Sequence, residues 1–285
     1  MQRVLVTGAT GTVGRQVVAQ LSATGNRVRA LTRNPAAADL PRKIEAVTGD
    51  LTIPESLDVS LSDIDSLFLV WTTPPQAAPA AIERIAKHVQ RVVFLTSPHQ
   101  TPHPFFQQPN PLAAMHAEIE RLIKASGIEW TFLRPGMFAA NCLLWWAPQI
   151  RAVDVVRWPY AAAPTAPIDE RDIASAAVCT LLDAGHGGGD YVLTGPESLT
   201  QLEQVVTIGE VIGRALHFEE ISPDVARKEL PFPEPVLSML LNAWEAALGQ
   251  PAYVTSEISE IIGTPARRFR DWVSDNAQKF NGVSK

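Results

Sequence analysis

Val4-Leu5-Val6-Thr7-Gly8-Ala9-Thr10-Gly11-Thr12-Val13-Gly14 is the stretch whose reading decides the fold. A short apolar run leads into a glycine-rich turn, and Val13, Val17, Val18 and Leu21 then recur at helical spacing. Three spaced glycines alone are a weak signal. Between a strand and a helix they form a dinucleotide fingerprint. Gly8 permits the tight turn, Gly11 lets backbone approach a pyrophosphate, and Gly14 lets the helix lie close to the strand. The helix N-terminus offers free N–H groups and a partial positive charge to phosphates. Gly8, Thr10, Gly11, Thr12, Val13 and Gly14 are therefore the expected cofactor turn.

Outward from this turn, strand-like and helix-like segments alternate, the pattern of a parallel sheet covered on both faces. Strands are predicted at 4–7, 27–32, 45–48, 67–70, 92–96 and 130–133, and helices at 13–23, 77–88 and 112–126. The fold class is α/β, a Rossmann-type doubly wound parallel sheet with a smaller C-terminal substrate-binding lobe. Past Gly136, prolines interrupt the alternation; a strand at 190–194 and helices at 202–212, 235–248 and 267–280 remain readable. Residues 1–157 are expected to form the NAD(P)-binding domain, with 166–195 returning to the sheet. Residues 158–285 are expected to form the lobe, too interrupted for an independent core, over the sheet's carboxyl edge where ligands bind.

Composition excludes several classes. The chain has 285 residues, a net charge of −6 and scattered Lys and Arg, which argues against a nucleic-acid surface. No apolar run approaches the ~20 residues of a membrane span. The first strand begins so near the start that no signal peptide is expected, and a cytoplasmic location follows. Two cysteines, Cys142 and Cys179, suggest core positions rather than disulfides, and no metal site has ligand spacing.

The end of the second strand selects the nicotinamide cofactor. A carboxylate there would accept the ribose hydroxyls of NAD; an arginine suits the 2′-phosphate of NADP. Here Leu31-Thr32-Arg33-Asn34-Pro35 has no carboxylate until Asp39. Arg33 points to NADPH, with NADH remaining open. Asp50, after the third strand, is either an adenine partner or a turn residue. Leu51, Trp71, Thr72 and Ser97 follow the ends of the third, fourth and fifth strands and complete the expected cofactor set.

These pieces together resemble the NmrA-like atypical short-chain dehydrogenase/reductases. The resemblance also rests on Gly49-Asp50-Leu51, Phe94-Leu95-Thr96-Ser97, the block from Ser126 to Gly136, Phe138, Asn141, Asp169 to Ala174, Leu193 to Glu197 and Phe269-Arg270-Asp271-Trp272, covering nearly the whole chain. A Tyr-x-x-x-Lys pair is absent: Pro164, Gly195 and Glu257 stand four residues after the three tyrosines. This sets aside an ordinary ketoreductase and an extended-type epimerase. His116 stands where isoflavone-reductase-like enzymes carry lysine, and here the chain is similar to triphenylmethane reductases and type-2 NAD(P)H quinone oxidoreductases. The resemblance implies an NAD(P)H-dependent reductase of quinone-like or polycyclic aromatic substrates, with aromatic polyketide tailoring as one setting. The alternative it leaves open is a non-catalytic redox sensor that binds NAD(P) and a partner protein.

Leu112, His116, Ile119 and Ile123 share a helical face, so His116 is expected to point inward, with a pKa near neutral suited to proton donation. A long loop from 98 to 111 carries His99, His103, Phe105 and Phe106. His99, Phe105, Met137, Phe138, Asn141 and Trp145, with Trp146 and Trp71, are expected to wall an aromatic substrate pocket. The expected partner is a small aromatic or quinone molecule; a homodimer or a pathway partner enzyme stays open.

Overall fold

The structure, a computed structural model, describes residues 1–281; residues 282–285, the end of the expected lobe, lie outside the described residues. Seven parallel strands form the main sheet: β1 (Arg3–Val6), β2 (Arg27–Thr32), β3 (Glu45–Thr48), β4 (Ser66–Val70), β5 (Arg91–Leu95), β6 (Glu129–Pro135) and β9 (Gly189–Leu193). Two small sheets pair β7 (Val155–Trp158) with β11 (His217–Glu220) and β8 (Pro164–Thr165) with β10 (Leu199–Thr200). The order of the main sheet is β3-β2-β1-β4-β5-β6-β9. It reverses at β1, which pairs β2 on one side and β4 on the other. That reversal is the switch point outside which doubly wound sheets hold ligands. Thr7 carries the pairing past the end of β1, its Oγ1 accepting from Val70 N at 2.7 Å.

Alternate residues of the strands feed opposite faces. Val4 and Val6 face a cluster with Val17, Val18 and Leu21 of the Gly14–Ala23 helix and Ile173, Ala177 and Leu181 of the Glu170–Leu182 helix. Leu5 faces the other cluster, with Ile82 and Ile85 of the Ala78–His88 helix and Ile119 and Ile123 of the Pro111–Ala125 helix. The Glu170–Leu182 helix carries no readable stripe because eight of its residues are buried, including Asp172 and Thr180. Asp169 caps its start, accepting from Arg171 N at 2.8 Å.

A third hydrophobic cluster draws on both sides of the expected boundary at 157, from Ala139 to Phe280. Trp146, Trp158, Trp244, Trp272, Phe269 and Phe280 are buried together with aliphatic residues. The Pro-interrupted segments hid this, because its aromatic side chains come from elements far apart in sequence. Cys142 is buried, but Cys179 is only half-buried. No helix among the described residues is long and apolar enough to cross a membrane.

Candidate active site

The glycine turn is built by close approach. A Cβ on Gly14 would stand 2.1 Å from Gly8 O, and Gly8 has φ +60, so neither position accepts a larger side chain without strain. Gly11 N–H turns back to Gly8 O at 2.9 Å. Thr10, Gly11 and Thr12 are exposed, whereas Val13 is buried in the core and can meet a ligand only through its backbone. The helix that follows has no side-chain N-cap and no acidic residue in its first turn. Arg15 and Gln16 N–H bond back to Gly11 O and Val13 O, which leaves the Thr12, Val13 and Gly14 amides without a backbone partner for an anion, and the turn fits a pyrophosphate.

Arg33 is exposed beside this edge and forms no salt bridge among the described residues. Asp50 is a turn former: its Oδ1 accepts from Thr52 N and Oγ1, both at 2.8 Å. Those bonds, with a smaller pull from Arg33, hold its carboxyl below the usual range. Leu51 is packed into the core, and Trp71 is buried with its indole N–H donated to Thr73 O at 2.8 Å.

A cavity of about 420 Å³ opens at the carboxyl edge of the sheet. Val70, Trp71, Thr72, Thr96 and Ser97 reach it from the ends of β4 and β5, and His116 from the Pro111–Ala125 helix. Met239, Leu240 and Ala243 close it from the lobe's Glu234–Ala247 helix. Of the expected substrate set, His99, Phe105, Met137, Phe138 and Asn141 line the cavity. Trp145 does not: it stacks on Trp158 at 5.8 Å and meets Trp244 edge-on at 5.7 Å, packed against the third cluster. Trp146 is fully buried in that cluster. Adjacent tryptophans after an aromatic-rich segment read as a pocket wall, but the third cluster claims them.

His116 is 7% exposed, with the Phe94 ring edge-on at 5.6 Å. Burial lowers its pKa to about 4, opposed in part by the Glu120 carboxylate one turn along the helix. The expected near-neutral pKa is thereby corrected: the imidazole is uncharged at pH 7. Its Nδ1 is buried without a partner. His99 sits across the same cavity, its Nδ1 3.1 Å from Ser97 O. That nitrogen also lies 3.5 Å from Arg134 Nη1, a donor, so it faces one acceptor and one donor, while Nε2 is buried without a partner. His103 is a brace instead, its Nε2 donating to Pro251 O at 3.0 Å while Nδ1 accepts from Phe105 N.

Behind these histidines lies a charged group that the sequence did not single out. Arg134 donates in bidentate fashion to Glu120, both bonds 2.8 Å, and to Ser97 O at 2.9 Å. It also pairs with Asp190, and Thr96 Oγ1 donates to Glu120 at 2.5 Å. Arg134 and Glu120 are 2% and 3% exposed. The network joins β5, β6, β9 and the helix of His116, so it fixes the backbone that carries both imidazoles. The readable signals were Glu120 four residues after His116 and an arginine ending an apolar strand.

Fold and glycine turn together define a dinucleotide-binding protein with a cavity beside the cofactor site. A family profile described as NAD(P)H-binding matches residues 8–144. The chain is 37% identical to a (4-alkanoyl-5-oxo-2,5-dihydrofuran-3-yl)methyl phosphate reductase of Streptomyces griseus, over 97% of this chain and 99% of the relative. It is 30% identical to an NAD(P)H azoreductase of Xenophilus azovorans, over 98% and 100%. The structure superposes on an NADPH-dependent quinone oxidoreductase of Escherichia coli with a TM-score of 0.80, 25% identity and coverage of 96% and 99%. The chain belongs to the NAD(P)H-binding, NmrA-like atypical short-chain dehydrogenase/reductases and is an NAD(P)H-dependent reductase.

Proposed function

We propose that this enzyme uses NADPH to reduce a flat, conjugated acceptor, quinone-like or polycyclic aromatic, bound in the cavity at the carboxyl edge of the sheet. The observation that carries the reading is an apolar, aromatic cavity into which only a few polar groups converge, two of them imidazoles with an unpartnered nitrogen. The relatives' names describe reduction of a conjugated lactone, an azo compound and a quinone, acceptors that share a planar electrophilic system.

The cofactor's reduced nicotinamide supplies the hydride when bound. Gly8, Thr10, Gly11, Thr12, Val13 and Gly14 hold its pyrophosphate through backbone groups, and Arg33 offers a planar fork to the 2′-phosphate. Phe105, Met137 and Phe138 hold the acceptor flat and exclude water. Asn141 donates its amide N–H to the oxygen or nitrogen where negative charge develops, and the uncharged His116 ring packs beside it. The acceptor gains the hydride's two electrons and one hydrogen, and a solvent proton passed through His99 completes the dihydro product. Residues 1–157, with 166–195, carry the cofactor turn and most of the cavity lining, and the remainder adds Met239, Leu240 and Ala243 to the acceptor side. Free thiols fit a cytoplasmic setting.

The test is anaerobic NADPH and NADH oxidation with naphthoquinones, polycyclic quinones and a conjugated lactone. Turnover is expected to favour NADPH, and Arg33→Ala is expected to raise the NADPH KM by roughly tenfold or more while sparing NADH. Cofactor binding without turnover on any acceptor would favour the sensor reading instead.

A further inference from the structure

Resting on that reading, we infer that the acceptor is uncharged where it occupies the cavity, and that this enzyme discriminates against the phosphate ester of an otherwise suitable acceptor. Among the described residues, no Lys, Arg, Asp or Glu lines the cavity. Its polar lining consists of neutral groups, chiefly Thr72, Ser97, Gln108, Asn110 and Asn141, with the two histidines.

Three sources of positive potential stand nearby, and each is already engaged. Arg134 is 2% exposed and held by Glu120 and Asp190. The Pro111–Ala125 helix begins at the cavity, but Asn110 Oδ1 takes the N–H groups of Leu112 and Ala113 at 2.9 and 3.3 Å. His99, when protonated, has the Glu120 carboxylate 3.9 Å away to offset its charge. A dianion entering this space would lose its hydration and meet no cation in return, a strongly unfavourable exchange. The planar carbon skeleton meets Phe105, Phe106, Met137 and Leu240 and gains from burial. The enzyme thus differs in substrate charge from its Streptomyces griseus relative, whose name specifies a phosphate ester.

The experiment compares a matched pair, a (4-alkanoyl-5-oxo-2,5-dihydrofuran-3-yl)methyl phosphate and the free alcohol. The same comparison is made with a naphthoquinone and its sulfonate. The neutral member is expected to show a kcat/KM higher by roughly tenfold or more. Leu112, 46% exposed at the cavity mouth, provides a converse variant: Leu112→Arg is expected to narrow that ratio by several-fold. Equal or better use of the anionic member by the unaltered enzyme would overturn the inference while leaving the reductase reading intact. If neither member turns over, anaerobic calorimetric titration of the NADPH-loaded protein, whose nicotinamide is uncharged, with each decides: tighter binding of the neutral member supports the inference, and equal or tighter binding of the anion overturns it.

Discussion

At pH 7 the His116 imidazole is neutral because its surroundings, the Phe94 ring among them, offer little solvation to a charge. The sequence placed this side chain on the inward face through Leu112, Ile119 and Ile123. Its acidity was not legible, since burial depends on elements that approach only in the fold. The shift has a signature in stability. The unfolded chain takes up the proton below about 6.5, whereas the folded protein takes it only near 4. The contribution is therefore complete above pH 6.5 and is lost as pH falls towards 4, on the order of 3 kcal/mol in all. Urea denaturation at pH 7 and pH 5 is expected to show about 2 kcal/mol more loss in the parent protein than in His116→Leu. Equal losses would mean that the imidazole is hydrated in the native state. Arg33 was read from the missing carboxylate after β2, a local feature, and needed no tertiary information.

Among the elements, the strands of the main sheet were legible because each is short, apolar and bounded by turn residues, as in Val92 to Phe94. The buried network was not. Glu120 lies on a helix whose charges read as a solvated face, and Arg134 precedes Pro135-Gly136, a pair that reads as an exposed strand end. Only the convergence of β5, β6 and β9 brings Thr96, Arg134 and Asp190 together. Truncating one partner strands the other charge, so Glu120→Ala is expected to cost about 3–5 kcal/mol of stability. The double variant Glu120→Leu with Arg134→Leu is expected to cost less than the sum of its parts, measured by a denaturation cycle. Additive losses would show that the pair makes no mutual contribution. The Glu170–Leu182 helix escaped detection for the opposite reason: burial nearly all round leaves no stripe.

Across the whole molecule, the third hydrophobic cluster and the acceptor cavity share one helix. Trp244 packs against Trp145 and Trp158 at 5.7 and 5.6 Å, while Met239, Leu240 and Ala243 of the same helix face the cavity. Trp244→Ala is expected to destabilise the protein by about 3–5 kcal/mol. It should raise the acceptor KM several-fold while the cofactor Kd, set mainly at the glycine turn and Arg33, changes less than about twofold. A comparable change in cofactor Kd would place the lobe in control of both ligands. Sequence periodicity located this helix but could not show that its tryptophan belongs to a core assembled from segments far apart in sequence.

The most direct test of the account is label transfer from NADPH deuterated at the nicotinamide C4, in separate preparations for each face. The acceptor is the conjugated lactone alcohol, reduced anaerobically and analysed by mass spectrometry. One of the two preparations is expected to deliver deuterium to a ring carbon of the saturated product, which ties the cofactor turn and the cavity into a single hydride-transfer site. Tight cofactor binding with both labels retained on the nicotinamide, on this lactone and across the quinone panel, would contradict it.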